Sequence, residues 1–340
     1  MLFRSSDFRR FFFECRPEDK EIVFYAEHRG YYPYYEGLIQ ALTGQGIKSI
    51  CYVTSDGGDP VLHSPPPGVK PYYLDKLMLL FMILVDCKVF LMTLTDLDNL
   101  HYRRSSNPVH YVYVFHSPIS THAAYLHGAF DNYDAGFCVC PHHVKELKTL
   151  EKQRGTKPKI LLETGYYRVE RIRKKADKLI KAESPQKTVL IAPSWGEGNI
   201  IESCGAVLVK SLLDGNFRVI LRPHPEIIKR QPGLIMEMNQ QFSENPNYIY
   251  ENSVREDDSL IEADLLISDY SGIAIEYAIG TLRPVLYIDV PKKIKNQDFE
   301  KTGLPVIEIE IRSKTGIIIT PEEAGQAAAK TAELIRDKDK

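Results

Sequence analysis

Short apolar runs recur along this chain, each followed by a stretch whose apolar positions repeat at helical spacing. Runs bounded by Gly, Pro or polar residues read as buried strands, and repeats of three and four read as amphipathic helices. In the first half, strands are predicted at residues 21–26, 49–54, 88–92, 109–115, 135–140 and 159–163. Helices are predicted at 36–43, 74–85 and 142–152, the first ended by Gly44 and Gly46. Residues 56–71, dense in Gly and Pro, read as a loop. In the second half, strands fall at 188–192, 218–221, 248–250, 265–268 and 284–289, with helices at 201–213, 234–242, 321–336 and directly after Gly272. Alternation of strand and helix in both halves predicts an α/β protein of two Rossmann-like, doubly wound parallel sheets facing each other across a cleft.

A length of 340 residues fits two domains. A run of basic residues from Arg168 to Lys181, followed by Glu183-Ser184-Pro185, places the junction between 182 and 183. The expected domains are therefore 1–182 and 183–340. Hydrophobic content of 44% and charged content of 26% are those of a globular protein. A net charge of −2 argues against a nucleic-acid partner, whose footprint is a concentrated basic excess. The six cysteines show neither metal-ligand nor disulfide-scaffold spacing and read as buried thiols in a reducing compartment. No apolar segment and cleavage site follow the basic, aromatic N-terminus, and the longest apolar run, 77–85, is too short to span a bilayer, which needs about 20 residues. A cytoplasmic location is expected. The basic run and exposed parts of 77–85 are the places where the chain would touch an anionic membrane peripherally; a solvated linker helix and a buried core helix explain the same residues.

The chemistry gathers at strand ends. Leu265–Ser268 ends in Asp269-Tyr270-Ser271-Gly272 and a helix begins at once, so unpaired N–H groups and a positive dipole end are available to a phosphate. Ser268, Asp269, Ser271 and Gly272 are accordingly candidate contacts to a nucleotide diphosphate, although small polar residues also suit an ordinary cap. One turn into that helix, Glu276 is placed to accept hydrogen bonds from ribose hydroxyls. The strand at 218–221 ends in Arg222-Pro223-His224-Pro225, whose two prolines pin one guanidinium and one imidazole. Arg222 can grip phosphate oxygens, and His224 can neutralise or protonate a leaving phosphate. The first strand of the second half ends in Pro193-Ser194-Trp195-Gly196-Glu197-Gly198, where Ser194 joins the candidate contacts. Trp195 either stacks on a base or packs between the domains. In the first half, His116 closes a buried strand in Phe115-His116-Ser117 and is a candidate general base; His122 and His127 lie close by in the sequence and compete for that role. A loop with His28, Arg29 and four tyrosines (Tyr31, Tyr32, Tyr34, Tyr35) is expected to receive an acceptor or simply to pack. Asp96-Leu97-Asp98 has no ligand set around it, so neither metal nor cofactor is expected.

Ala-Pro-Ser-Trp, Arg-Pro-His-Pro and Ser-Asp-Tyr-Ser-Gly…Glu, each after a strand and in this order, resemble the second domain of the CDP-glycerol glycerophosphotransferases, the teichoic-acid primases and polymerases. The resemblance runs over about 109–289 and is strongest from Val189 onward. It implies a GT-B arrangement with an acceptor domain first and a nucleotide-donor domain second. It also implies transfer of glycerol phosphate, or a related polyol phosphate, from a CDP donor to a hydroxyl of a glycan or lipid-linked acceptor, with release of CMP. The setting would be synthesis of a cell-envelope polymer such as teichoic acid or capsule polysaccharide. His116 would match the family's proposed base and His224 its second-motif histidine. Arg222, Ser271 and Glu276 would match donor contacts. The family's Trp-His-Gly reads Phe115-His116-Ser117 here, and no lysine follows before Lys145, which leaves the acceptor open. The chain starts without the polymerases' long N-terminal extension, so single addition rather than polymerisation is expected. Two other enzyme classes share the strand-end pattern, GT-B glycosyltransferases using UDP- or CMP-sugars and UDP-N-acetylglucosamine 2-epimerases. A binding module without turnover is the remaining alternative.

Overall fold

The computed structural model of the protein describes residues 3–179, 186–252 and 257–337. The chain forms two compact units. The first comprises residues up to 116, 120–167 and 295–304; the second comprises 117–119 and the described parts of 168–294 and 305–340. The expected junction at 182/183 lies within residues 180–185, outside the described residues.

Among the described residues the first unit carries seven strands: β1 (Ile22–Ala26), β2 (Ile50–Thr54), β3 (Val69–Tyr73), β4 (Val89–Met92), β5 (His110–Val114), β6 (Ala135–Cys138) and β7 (Ile160–Glu163). All pair in parallel in the order β3-β2-β1-β4-β5-β6-β7. The second unit carries β8 (Thr188–Ile191), β9 (Arg218–Leu221), β10 (Tyr248–Tyr250), β11 (Leu265–Ser268), β12 (Val285–Ile288) and β13 (Gly316–Ile319). They too are parallel, ordered β10-β9-β8-β11-β12-β13. Each order runs outward from a first strand and then reverses. The reversal lies between β1 and β4 in one sheet and between β8 and β11 in the other. Such switch points, at strand carboxyl ends, are where doubly wound sheets bind ligands.

Central strands are covered on both faces, which is why they read as unbroken apolar runs rather than alternating ones. In β8, Val189 and Ile191 enter one core while Leu190 enters the other. The first sheet is covered likewise: Val23 and Tyr25 face a core built around Phe81 and Phe90, and Phe24 faces Tyr35 and Ile39.

Two edge strands depart from the expected layout. The loop expected over 56–71 for its Gly and Pro ends instead in β3, an edge strand that contains Pro71, where a missing N–H costs no ladder bond. Its outer side is met by the N-terminal segment, since Asp7 Oδ2 accepts from Tyr73 N at 2.8 Å and Arg10 donates to the Pro71 carbonyl. At the far edge of the second sheet, β13 was missed because its isoleucines form a run too short to separate from loop.

The helix expected at 74–85 is Met78–Leu84, with Met78, Phe81 and Met82 buried and Leu79, Leu80, Ile83 and Leu84 exposed. Phe81 meets Phe11 at 4.7 Å and Phe12 at 5.5 Å between ring centroids, so it anchors the N-terminal segment to the sheet. Phe81→Ala is expected to cost roughly 3–5 kcal/mol through lost burial and the cavity left behind. Urea unfolding checks this, and hydrogen exchange should show the loss in the first unit.

Candidate functional site

The second sheet's switch point is closed by one carboxylate. Asp269, directly after β11, is 1% exposed and accepts from Ser194 N–H at 3.0 and 3.1 Å, from Ser194 Oγ at 2.9 Å and from Ser271 N–H at 3.1 Å. Beside it, Ser268 Oγ donates to the Ala192 carbonyl at 2.7 Å. Ser194, Ser268 and Asp269 therefore lock the tips of β8 and β11 together. Burial raises the Asp269 pKa, against the lowering effect of the Ser194 and Ser271 hydrogen bonds and of the Lys293 charge.

Ser271 precedes the helix Gly272–Thr281 with extended backbone, leaving first-turn N–H groups at the end of a ten-residue helix. A side chain at 272 would collide with Ser117 Oγ and press on Pro118 and Ile119, so the glycine is what lets residues 117–119 lie against this helix start. Tyr270 points the other way, donating to Asp289 Oδ1 at 2.7 Å and packing under Arg312.

Glu276 and Arg222 sit in a second, buried group. Glu276 Oε2 accepts from Arg168 Nε at 2.9 Å, and Asp257 accepts from Arg171 at 2.8 Å and lies 3.6 Å from Arg168. Arg222 is 3% exposed and donates to Ser259 Oγ at 2.8 Å. Burial lowers its pKa, while Glu251, Glu276 and Asp257 act to raise it. The start of the basic run is thus neither a solvated linker nor a lipid contact. Arg168 and Arg171 are held by carboxylates, and Ile172 is buried in the second unit's core, because the helix Tyr167–Lys178 packs on it.

His224 caps the six-residue helix Pro225–Arg230, its Nδ1 accepting from Glu226 N–H at 3.1 Å. That bond leaves the neutral ring with its proton on Nε2. Burial, reinforced by the Lys293 charge, lowers the His224 pKa to about 4. Trp195 lies 6.3 Å from the His224 ring, with Lys293 Nζ 3.8 Å and the Arg230 guanidinium 5.1 Å from its centroid. Its neighbours are cations, as the ring quadrupole favours.

In the first unit, His116 follows β5 among aromatic rings, with Tyr31 at 5.4 Å, Tyr34 at 5.6 Å and Tyr113 at 6.5 Å. The segment expected to be a tyrosine-rich loop is a short turn, Arg29–Tyr31, running into the helix Tyr32–Gly44, and Tyr31 and Tyr34 at its start pack against the histidine. Burial, with a further contribution from His28, lowers the His116 pKa to about 4. The competing histidines separate from it. His122 is 1% exposed, with Nδ1 3.3 Å from Glu146 Oε1, and His127 lies 3.5 Å from Arg154.

Two residues were missed in the sequence. Glu27, at the end of β1, is a half-buried carboxyl whose pKa burial raises; a charged pair closing an apolar strand, Glu27-His28, was its signal. Lys293, beyond β12, interacts with His224, Asp269 and Trp195, and only the strand end before Pro291-Lys292-Lys293 hinted at it. Among the described residues, no group of three or more His, Cys, Asp or Glu is arranged to hold a metal ion, and no helix is long and apolar enough to cross a membrane.

Two parallel sheets of Rossmann order, each with its candidate side chains at the carboxyl edge, define an α/β protein of the GT-B fold. Solved structures share this fold. The wall teichoic acid polymerase TagF is 14% identical, with a TM-score of 0.56 over 94% of this chain and 83% of that one. The S. aureus MnaA–UDP complex is 12% identical, with a TM-score of 0.60 over 94% and 90%. UDP-GlcNAc 2-epimerase from Methanocaldococcus jannaschii is 13% identical, with a TM-score of 0.55 over 94% and 92%. Among curated proteins, no match is found. The profile of the CDP-Glycerol:Poly(glycerophosphate) glycerophosphotransferases matches residues 116–293, just over half of the chain, and the protein belongs to that family. It is a CDP-glycerol glycerophosphotransferase-like transferase.

Two outcomes test this geometry. Arg168→Met takes the guanidinium from buried Glu276 and leaves Asp257 with Arg171 alone, and should destabilise by about 3–5 kcal/mol in chemical denaturation. Lys175→Met, at a solvated ion pair on the same helix, should change stability by less than about 1 kcal/mol. Imidazole NMR should show His116 and His224 titrating near pH 4. Both folded values lie below the ordinary 6.5, so the unfolded chain binds more protons between the two. Stability should therefore fall as pH drops from about 6.5 to about 4.

Proposed function

We propose that the protein transfers glycerol phosphate, or a closely related polyol phosphate, from a CDP-activated donor to a hydroxyl of a glycan or lipid-linked acceptor. The observation that carries this reading is the family match over 116–293, which spans His116, Arg222, His224, Ser271 and Glu276. The second unit would hold the donor, its diphosphate at the start of the helix Gly272–Thr281 and its ribose toward the Glu276 side. His116, neutral above about pH 5, takes the proton from the acceptor hydroxyl. The oxygen attacks the β-phosphorus, which carries the glycerol. The bond from that phosphorus to the bridging oxygen breaks, and its electron pair leaves with CMP. A phosphodiester joins acceptor and glycerol, and the proton passes from His116 to solvent.

His224, neutral with hydrogen on Nε2, serves as a hydrogen-bond donor to phosphate rather than as a fixed charge. Catalysis then rests on positioning and oriented dipoles. The acceptor enters past Tyr31 and Tyr34, at the start of the helix Tyr32–Gly44 beside His116. Membrane contact, where a lipid-linked acceptor would be met, falls to the exposed face of the helix Met78–Leu84.

The test is product analysis. CDP-glycerol or CDP-ribitol with an acceptor should release CMP, and CDP should raise the melting temperature by mass action. His116→Ala should lower turnover by roughly 10²–10⁴-fold with CDP binding retained. Release of UDP from a UDP-sugar, or epimerisation of the sugar, would replace this reading with a sugar transferase or an epimerase. Wild-type turnover in His116→Ala would remove the base.

A further inference from the structure

The charge that a diphosphate needs is missing from the residues first expected to supply it. Arg222 is buried with Ser259 and its carboxylate neighbours, and His224 is neutral. Arg230 lies 2.7 Å from Glu226 on the rim, its side chain 61% exposed. Lys293 is different. It follows β12, yet its charge acts on His224 after β9 and on Asp269 after β11, and its Nζ stands 3.8 Å over Trp195 after β8. The loop after β12 thus sets one ammonium group over Trp195, with the residues closing β9 and β11 within reach of its charge.

The backbone holds it there. Gly198, at φ +68, faces Pro291, and a side chain at 198 would meet the Pro291 ring at 3.2 and 3.3 Å. That close approach sets the segment leading to Lys293 against the loop after β8. On the same loop Gly196, at φ +141, has open space where a side chain would project. Lys293 is half-buried, so its ammonium is partly desolvated without being sealed from a ligand. A lysine is a compact point charge suited to phosphate oxygens, and desolvation strengthens that attraction.

We infer that Lys293 is a substrate-binding residue that contacts the β-phosphate of the nucleoside diphosphate donor and neutralises charge on the transferred phosphoryl group. This rests on the donor reading given above. Trp195 acts beneath it as a positioning residue, holding the ammonium over its ring rather than stacking on the base.

The experiment compares CDP and CMP, which differ by the β-phosphate, on the full chain by calorimetry. With the unaltered protein, CDP should bind more tightly than CMP. Lys293→Met should weaken CDP by roughly tenfold or more while changing CMP by less than about threefold, and Lys293→Arg should recover most of the difference. Urea midpoints of both variants show that the fold is kept. If Lys293→Met fails to fold, Lys293→Gln is measured in its place against the same two nucleotides. Unchanged CDP affinity, or equal weakening of CDP and CMP, overturns the role of Lys293 while leaving the donor reading in place. Failure of the unaltered protein to bind CDP overturns the donor reading, and this inference with it.

Discussion

A buried carboxylate at the end of β11 shapes everything the second sheet offers a ligand. Asp269 accepts from the backbone and hydroxyl of Ser194 and from the backbone of Ser271, so the tips of β8 and β11 and the start of the helix Gly272–Thr281 share one acceptor. A parallel sheet leaves a gap where its order reverses, and here the gap is between those two strands. Without the carboxylate, the N–H groups of Ser194 and Ser271 would face each other across a low-dielectric site with no acceptor, a costly arrangement. The carboxylate pulls both loops inward and leaves the next N–H groups of the helix to a ligand.

Charge is sorted around that lock by depth. Arg168, Arg171, Asp257 and Glu276 form an inner group of ion pairs, with Arg222 buried within reach of their charges and bonded to Ser259. Removing Arg168 would take a buried charge from both Glu276 and Asp257, so the group's first effect is to fix geometry. Nearer the loops, Lys293, Trp195 and His224 form an outer group with partial exposure. Burial, reinforced by the Lys293 charge, keeps His224 neutral, so the imidazole can donate a hydrogen bond without adding a second charge. His116 reaches the same protonation state chiefly through burial as well, with His28 adding to it.

Much of this was legible in the sequence, for definite reasons. Central strands such as β8 and β11 are covered on both faces, so their apolar runs stand out, and the polar residue closing each run marks the ligand edge. That rule is what pointed to His116, His224 and Ser271 as candidates. Edge strands were harder, because Pro71 in β3 is tolerated only where no neighbour needs its N–H, and pairing order does not show in local pattern. The partners of Arg168 were invisible for the same reason: its ion pair joins residues 108 positions apart, and a run of basic residues looks alike whether solvated or buried. Ser194, Ser268 and Asp269 were singled out correctly as a polar strand-end group, but which of them face a ligand and which face each other depends on strand adjacency. Lys293 lay outside every motif, and only its place over Trp195 in the fold reveals it.

The most direct test is a crystal structure of the protein soaked with CDP. The account predicts diphosphate density at the carboxyl edge of the second sheet, against the N-terminus of the helix Gly272–Thr281 and beside His224, with the Asp269–Ser194 bonds unbroken. A diphosphate bound away from this edge, or a nucleotide held by the first unit alone, would contradict it.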